Sequence, residues 1–273
     1  MRPRSSLAFR AGLALTLAMV IMAVTASFWT PHDPAGMEIT SRLKPPSFAH
    51  PFGTDHFGRD VLSMIMAGSR ITLGVALASV AIGMGVGIPL GLTAAALHGR
   101  AADDAVLRAN DLIFAFPALV TAILIAARFG PGAYTAILAI GLFNIPVFAR
   151  ITRGAALPLW HRDFIRAAFL AGKGKMRISV EHILPNIAHL IIVQASIQFS
   201  LAILAEAGLS YIGLGVQPPA PSWGRLLADS QTMVAISPYP VLISGLAIIL
   251  TVLGFNLMAD GLKTRYIRTR ETG

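Results

Sequence analysis

Ionisable residues inside or beside the long apolar stretches of this sequence are the ones whose positions could support chemistry. His189 stands about one turn inside one stretch, Glu206 closes the far end of that stretch, and Asp260 ends the last one. If these stretches cross a membrane, such residues are functional candidates by default, because a charge at depth is costly. We favour a structural hydrogen-bonding role for His189 over contact with a transported substrate. For Glu206 both roles stay open, since a carboxylate at the end of a span could face a substrate amine.

The sequence lacks the motifs of catalysis and of nucleotide binding. Gly172-Lys173-Gly174-Lys175 is followed by Met176 and does not have the spacing of a phosphate-binding loop. No His-Glu-x-x-His zinc motif and no Gly-x-Ser-x-Gly nucleophile elbow occurs. We therefore expect no catalytic residue, no metal site and no cofactor bound by this chain, which argues against an intramembrane enzyme.

The composition excludes an ordinary soluble domain. Of the 273 residues, 55% are hydrophobic and only 13% are charged, whereas soluble domains carry about 25% charged residues. The mean hydropathy is +0.69, which also excludes a disordered chain. The chain has no cysteine, so a disulfide scaffold is excluded. A polytopic membrane protein remains.

Charged residues divide the chain into six apolar stretches, at residues 11–29, 71–97, 112–127, 129–149, 183–205 and 230–259. A helix needs about 20 apolar residues to cross the hydrocarbon core, and only the third stretch is clearly short. The uninterrupted runs exclude a β-barrel, whose strands alternate in polarity. The first stretch could be a signal peptide, but its length and the five later spans favour a retained helix. The predicted fold is all-α with six transmembrane helices.

The distribution of Lys and Arg predicts the orientation. With the N-terminus in the cytoplasm, sixteen of the 22 Lys and Arg residues fall in cytoplasmic segments. Such a bias places both termini inside. It also explains the net charge of +9 without a nucleic-acid partner.

The loop of residues 150–186 is too long for a simple turn between two spans. Its pattern predicts an amphipathic helix over residues 159–171 and a second short helix over residues 176–184, ending at Pro185. The apolar face of the first helix would hold Leu159, Phe164, Ala167, Ala168 and Ala171. Charge alone leaves two interpretations open: a basic loop on anionic lipid headgroups, or a docking element for a cytoplasmic partner.

The residue pattern favours docking. Residues 164–186 resemble the Glu-Ala-Ala loop of ABC importer membrane subunits, with Ala167, Ala168, Gly172, Leu184 and Pro185 in register. The resemblance implies a coupling helix that fits a groove on an ATPase subunit. The residues themselves suit close contact, because alanine is small and Gly172 permits a turn with positive φ.

The 150–186 loop departs from that family pattern at two places. Arg166 stands where the family has Glu, and Lys173 opens a basic run after Gly172. We hypothesise that a matched ATPase carries compensating acidic residues or that coupling is weaker.

Two further segments narrow the resemblance. Residues 50–63 and 209–229 are similar to the second membrane subunit of dipeptide, oligopeptide and nickel importers. Their motif residues are Gly53, Thr54, Asp55, Gly58, Arg59, Asp60, Gln217, Pro218, Pro219 and Trp223. The first motif reads as a compact turn whose Asp side chains bond local amides, with Arg59 paired to Asp55 or Asp60. We favour scaffolding of the periplasmic face over direct contact with substrate or binding protein.

Glycines crowd the second span. Gly83, Gly87 and Gly91 recur at four-residue spacing, which lets helices approach closely. The spacing is compatible with packing inside this chain and with a hinged gate at a second membrane subunit. Pro89 and Pro146 interrupt the second and fourth spans.

The resemblance implies a type I ABC importer permease fold, an N-terminal helix plus a five-helix core. Residues 1–69 would form the N-terminal tail, first helix and periplasmic segment. Residues 70–262 would form the core with its coupling loop, and residues 263–273 a basic cytoplasmic tail.

The expected function is the translocation subunit of an ATP-driven importer in the bacterial inner membrane, for peptides, nickel or another small solute. Its implied partners are a second homologous permease, two ATP-binding subunits that carry the ATP-Mg, a periplasmic binding protein and the lipid bilayer. An ion-coupled secondary transporter is the alternative. Pairing with an identical or a different permease, and the cargo, stay open.

Overall fold

The computed structural model describes residues 4–271, with side chains described for residues 7–263. Arg2 of the predicted basic N-terminal tail and residues 272–273 lie outside the described residues, as do the side chains of Arg4, Arg265, Arg268 and Arg270. In the described part the fold is all-helical, and its one bridge pairs Thr54 with Asp60. The helices are α1 Arg4–Thr25, α2 Val61–Ala96, α3 Ala101–Ala115, α4 Ala118–Phe129, α5 Ala133–Ala156, α6 Asp163–Leu170, α7 Lys175–Ile178, α8 Leu184–Tyr211, α9 Trp223–Ser230 and α10 Tyr239–Glu271.

The apolar helices confirm the predicted fold class. Five helical segments of the described chain are long and apolar enough to cross a membrane, and α3 with α4 makes a sixth if that bent pair counts as one span. The short third span predicted over residues 112–127 is not one continuous helix, because the break between α3 and α4 falls inside it and the two helices meet at 85°. Pro117 explains the bend: it disfavours helical geometry at Phe116, whose φ of −93° and ψ of 133° are extended.

Helix α2 begins ten residues before the predicted span. Asp60 caps it, since its side chain accepts a hydrogen bond from the Ser63 amide at 2.8 Å. From this cap the helix runs through Arg70 to Ala96 without a break. At the other end of the chain, α10 continues to Glu271 through most of the predicted tail.

Three glycines of α2, at positions 83, 87 and 91, lie against α5. An added Cβ would lie 2.3 Å from Asn144 Cβ at Gly83 and 2.5 Å from the Ala149 oxygen at Gly91. Gly74 and Gly85 face away, and a Cβ at either would meet no atom within 4 Å. The contacts show that the four-residue spacing serves packing inside this chain.

Helices α1 and α10 pack in the same manner. A Cβ at Gly12 would lie 2.6 Å from the Met258 nitrogen, and one at Gly261 would lie 2.6 Å from Phe9 Cβ. Another face of α10 carries an exposed apolar stripe at helical spacing, formed by Leu242, Leu246, Ile249 and Leu253. An apolar stripe without protein cover fits contact with lipid tails.

Candidate functional site: the 150–186 loop and the opposite end of the bundle

The 150–186 loop holds a short helix anchored by two buried side chains. A 3-10 turn, Leu157–His161, leads from α5 into α6. Ile165 and Ala168 of α6 are buried and belong to the main apolar core. Of the five residues predicted to share the apolar face, Ala168 is buried and Leu159 half-buried, whereas Phe164, Ala167 and Ala171 are exposed. Helical spacing did not identify Ile165 as the main anchor of α6 in the core.

Gly172 ends α6 as the sequence predicted. Its φ is +79°, a conformation in which glycine avoids the strain that a Cβ would bring. Its amide donates to the Phe169 oxygen at 2.9 Å, and the Lys173 amide donates to the Ala168 oxygen at 3.1 Å. This pair of bonds is a Schellman C-cap.

Pro185 does not end a helix, contrary to the prediction. α7 continues through a π-helical turn, Ser179–Ile183, directly into α8. Proline lacks an amide hydrogen and crowds the preceding turn of an α-helix. The widened turn before Pro185 accommodates it, so Lys175–Tyr211 forms one helical run.

Basic side chains cover the loop and are partly paired. Arg166 is exposed and lies 3.5 Å from Asp163. The Lys173 ammonium donates to the Glu181 carboxylate at 2.7 Å, and Arg177 donates to the same carboxylate. Lys175 donates to the Ala96 oxygen at 2.7 Å, which ties the loop to the end of α2.

Apolar side chains also project from this loop. Leu170 is 91% exposed, and Phe164 and Met176 are exposed as well. Together these side chains form an apolar surface around α6, and the exposed Arg166 lies at its edge. We name this surface, formed by Phe164, Arg166, Ala167, Leu170 and Met176, the α6 surface.

A buried ion pair that sequence reasoning missed joins this end of the bundle. Asp103 of α3 accepts from Arg153 of α5 at 2.6 and 2.8 Å, and its second oxygen lies 2.9 Å from His98 Nδ1. Asp103 is buried, and the Arg153 side chain is partly buried at 18% exposure. Fifty residues separate the partners, so no local pattern could have paired them.

We predict that Gly172→Ala loosens the C-terminal end of α6, while Gly174→Ala does not. An added Cβ would meet no atom at either position, but only Gly172 has positive φ; Gly174 has a φ of −73°. The left-handed conformation costs a residue with a Cβ about 1–2 kcal/mol. Hydrogen–deuterium exchange of residues 163–178 in detergent should rise in Gly172→Ala alone; equal exchange in both variants would contradict the C-cap assignment.

At the opposite end of the bundle the predicted turn forms around Asp55. Its side chain accepts from the amides of Phe57 and Arg59 at 2.9 and 2.8 Å, as expected. Arg59 pairs with Asp55 at 2.7 Å rather than with Asp60, and it also lies 3.6 Å from Asp229. The last contact joins the two motif segments, which are far apart in sequence.

Trp223 ties the second motif segment to the first turns of α2. It is fully buried, and its indole nitrogen donates to the Ile65 oxygen of α2 at 3.0 Å. Gln217 donates to the oxygens of Gly213 and Gly215, which closes the turn after α8. Burial of Thr54, Asp55, Arg59, Asp60 and Trp223 favours the scaffolding interpretation of these motifs.

The two candidate pathway residues lie in different surroundings. Glu206 is fully buried and accepts a hydrogen bond from Ser210 at 2.7 Å. His189 is half-buried and lines a cavity of about 810 Å³ between α5, α8 and α10, together with Arg150, Gln194 and Asp260. A second, more apolar cavity of about 550 Å³ between α4, α5 and α8 contains the polar side chains of Asn144 and Gln198.

Sequence comparison identifies related proteins over most of the chain. Residues 87–269 match the family described as "Binding-protein-dependent transport system inner membrane component". The dipeptide transport system permease protein DppC of Alkalihalophilus pseudofirmus is 40% identical over 252 residues, which cover 92% of this chain and 83% of that protein. The glutathione transport system permease protein GsiD of Pectobacterium atrosepticum is 39% identical over 261 residues, 95% of this chain and 86% of that protein.

Structural comparison gives the same fold. The chain is similar to a chain of the MetNI methionine ABC transporter in an inward-facing conformation, with a TM-score of 0.58. The match covers 73% of this chain and 96% of that chain at 16% sequence identity. Identity at this level supports the fold alone, which is that of a type I importer permease.

Proposed function

Because this chain belongs to the family of binding-protein-dependent transport system inner membrane components and is the permease subunit of an ABC importer, we propose that its cargo is short peptides. Support comes from the relatives, which include permeases named for dipeptide, for di- and tripeptide and for glutathione transport. Membership of this family decides against the alternative function, an ion-coupled secondary transporter, which the composition alone left open. An ATPase and a binding protein are the partners that the family implies.

The α6 surface supports the proposed route of energy coupling. Ile165 and Ala168 fix α6 in the core, while Leu170 and Phe164 project from it uncovered. An apolar projection on a rigid base suits insertion into a groove, since the burial of a leucine side chain is worth about 1.5–3 kcal/mol. We place the ATPase contact here, and we expect acidic residues on the groove to face Arg166.

The remaining assembly follows from the same proposal. Two permeases, this chain and a homologous partner, would stand on two ATPase subunits. Both termini and the α6 surface would face the cytoplasm, and the segments that the buried Asp55 and Trp223 hold in place would form the periplasmic face of the bundle. The excess of Lys and Arg at the α6 end supports this orientation.

The transport assay that tests the cargo uses the assembled importer. The chain, co-expressed with its neighbouring permease, ATPase and binding-protein subunits, would be reconstituted in proteoliposomes with ATP inside. Labelled dialanine should accumulate only with ATP and binding protein present. Omission of either component is the control, and uptake of nickel ions without uptake of any di- or tripeptide would contradict the peptide proposal.

A further inference from the structure

Two histidines and the buried carboxylate that caps α2 converge at the start of that helix. His32 follows α1, His50 precedes the Asp55 turn, and Asp60 caps α2. Their ligand atoms all lie within 4.8 Å of one another, and they form the one such group of three in the described part of the chain. The imidazole rings lie against each other with centroids 4.7 Å apart.

The separations fit a small metal ion. His50 Nδ1 lies 2.9 Å from Asp60 Oδ1, and His32 Nδ1 lies 3.7 Å from Asp60 Oδ2. Tetrahedral Zn²⁺ with bonds near 2.0–2.2 Å requires ligand atoms roughly 3.3–3.5 Å apart. All three ligand atoms lie within 4.8 Å of one another, so rotation of the side chains toward a common centre would bring them to that separation.

Neighbouring groups hold the carboxylate in place. Ser63 donates to Asp60 Oδ2 from both its amide and its hydroxyl, at 2.8 and 2.7 Å. These bonds use the lone pairs of one oxygen and leave Oδ1 facing His50. The Ser63 hydroxyl also accepts from the His32 amide at 2.9 Å. Hydrogen bonds of this kind orient metal ligands and are a regular part of metal sites.

Access and chemistry complete the site. Asp60 is fully buried, whereas the His32 side chain is 44% exposed and opens the group to solvent. Two neutral imidazoles and one carboxylate are ligands for Zn²⁺ and neighbouring transition metals rather than for Mg²⁺ or Ca²⁺. Three protein ligands leave a fourth position for water.

We propose that His32, His50 and Asp60 bind one divalent first-row transition metal ion, with Zn²⁺ as the reference ion. Through His32 and His50, the ion joins the segment after α1 and the segment before the Asp55 turn to Asp60, which caps α2. It therefore clamps the segment of residues 32–60 onto the bundle. Sequence analysis predicted no metal site, because ligands 18 and 10 residues apart form no recognised motif.

Zn²⁺ binding to the purified full-length chain tests the site. The protein would carry a non-histidine affinity tag, be freed of metal with a chelator, and be titrated with Zn²⁺ against a chromophoric chelator in detergent micelles. His32→Ala is the informative variant, because it leaves the His50–Asp60 contact intact. His56→Ala is the matched control, since His56 lies in the same segment and its ring contacts Phe57 instead.

The wild-type chain and His56→Ala should each bind one Zn²⁺ ion with equal affinity. His32→Ala should bind at least about 10-fold more weakly, since the loss of even an outer-shell partner costs 10–100-fold. Equal affinity in wild type and His32→Ala, or no Zn²⁺ bound by the wild type, would overturn the proposal. Tryptophan fluorescence of each variant would show that the fold is retained.

Discussion

Gly87→Leu is expected to prevent the packing of α2 against α5 and to leave little folded protein. A Cβ at Gly87 would lie 2.5 Å from the Ile145 carbonyl oxygen and 2.8 Å from Phe148 Cβ. The Ile145 oxygen belongs to the backbone and Phe148 is fully buried, so neither atom can move to make room for the new side chain. Overpacking in a core costs about 1–3 kcal/mol and occasionally more. We expect at least the upper end, because the two helices must separate along their length.

Gly85→Leu is the matched control for that variant. Gly85 lies on the same helix two residues away, and an added Cβ would meet no atom within 4 Å. Gly85→Leu replaces a glycine in the interior of the same helix, as Gly87→Leu does, but the new Cβ meets no neighbouring atom. The free energy of unfolding, followed by tryptophan fluorescence in mixed micelles of mild detergent and SDS, should fall only in Gly87→Leu. Equal stability of the two variants would contradict the packing of α2 on α5.

Asp103→Ala is expected to cost about 1.5–3 kcal/mol, the range for hydrogen bonds to a charged group, because the Arg153 guanidinium that it leaves behind is only partly buried. Arg153 would keep its charge while losing two hydrogen bonds to Asp103, at 2.6 and 2.8 Å. His98 would lose its contact with the same carboxylate. Since this group ties α3 to the start of the 150–186 loop, the loop should also lose protection from hydrogen exchange.

Asp111→Ala provides the comparison on the same helix. Asp111 pairs with Arg150, but both side chains are exposed, and exposed pairs contribute about 0–1 kcal/mol. Thermal unfolding in one detergent should therefore show a large decrease for Asp103→Ala and a small one for Asp111→Ala. A small decrease for both would mean that the Asp103–Arg153 pair does not hold this end of the bundle together.

Local chemistry explains what could be predicted from the sequence. Uninterrupted apolar runs identified the spans because a lipid-facing helix needs no polar face. Gly172 was predicted to permit a turn with positive φ, and its φ is positive. The prediction was possible because helices commonly end with a glycine in the left-handed conformation. The Asp55 turn was predicted since Asp bonds amides two to four residues away.

Features that depend on distant contacts could not be predicted in this way. Whether Ile165 or Phe164 of α6 is buried depends on the core that α6 meets, and an amphipathic pattern does not specify it. The bend at Pro117 lies within the short apolar run of residues 112–127, which was interpreted as a single span. Pro185 was read as a helix stop, whereas a π-helical turn accommodates it.

Co-purification of ATP-binding subunits with Leu170→Glu tests the central claim, that the α6 surface is the ATPase contact. Leu170 is 91% exposed, so the change should leave the fold of this chain intact while placing a charge where an apolar side chain inserts. Phe48→Glu, an equally exposed residue at the other end of the bundle, is the control. We predict that ATP-binding subunits copurify in mild detergent with wild type and Phe48→Glu but not with Leu170→Glu, which also loses ATP-driven uptake. Retention of the ATP-binding subunits by a folded Leu170→Glu chain would contradict the account.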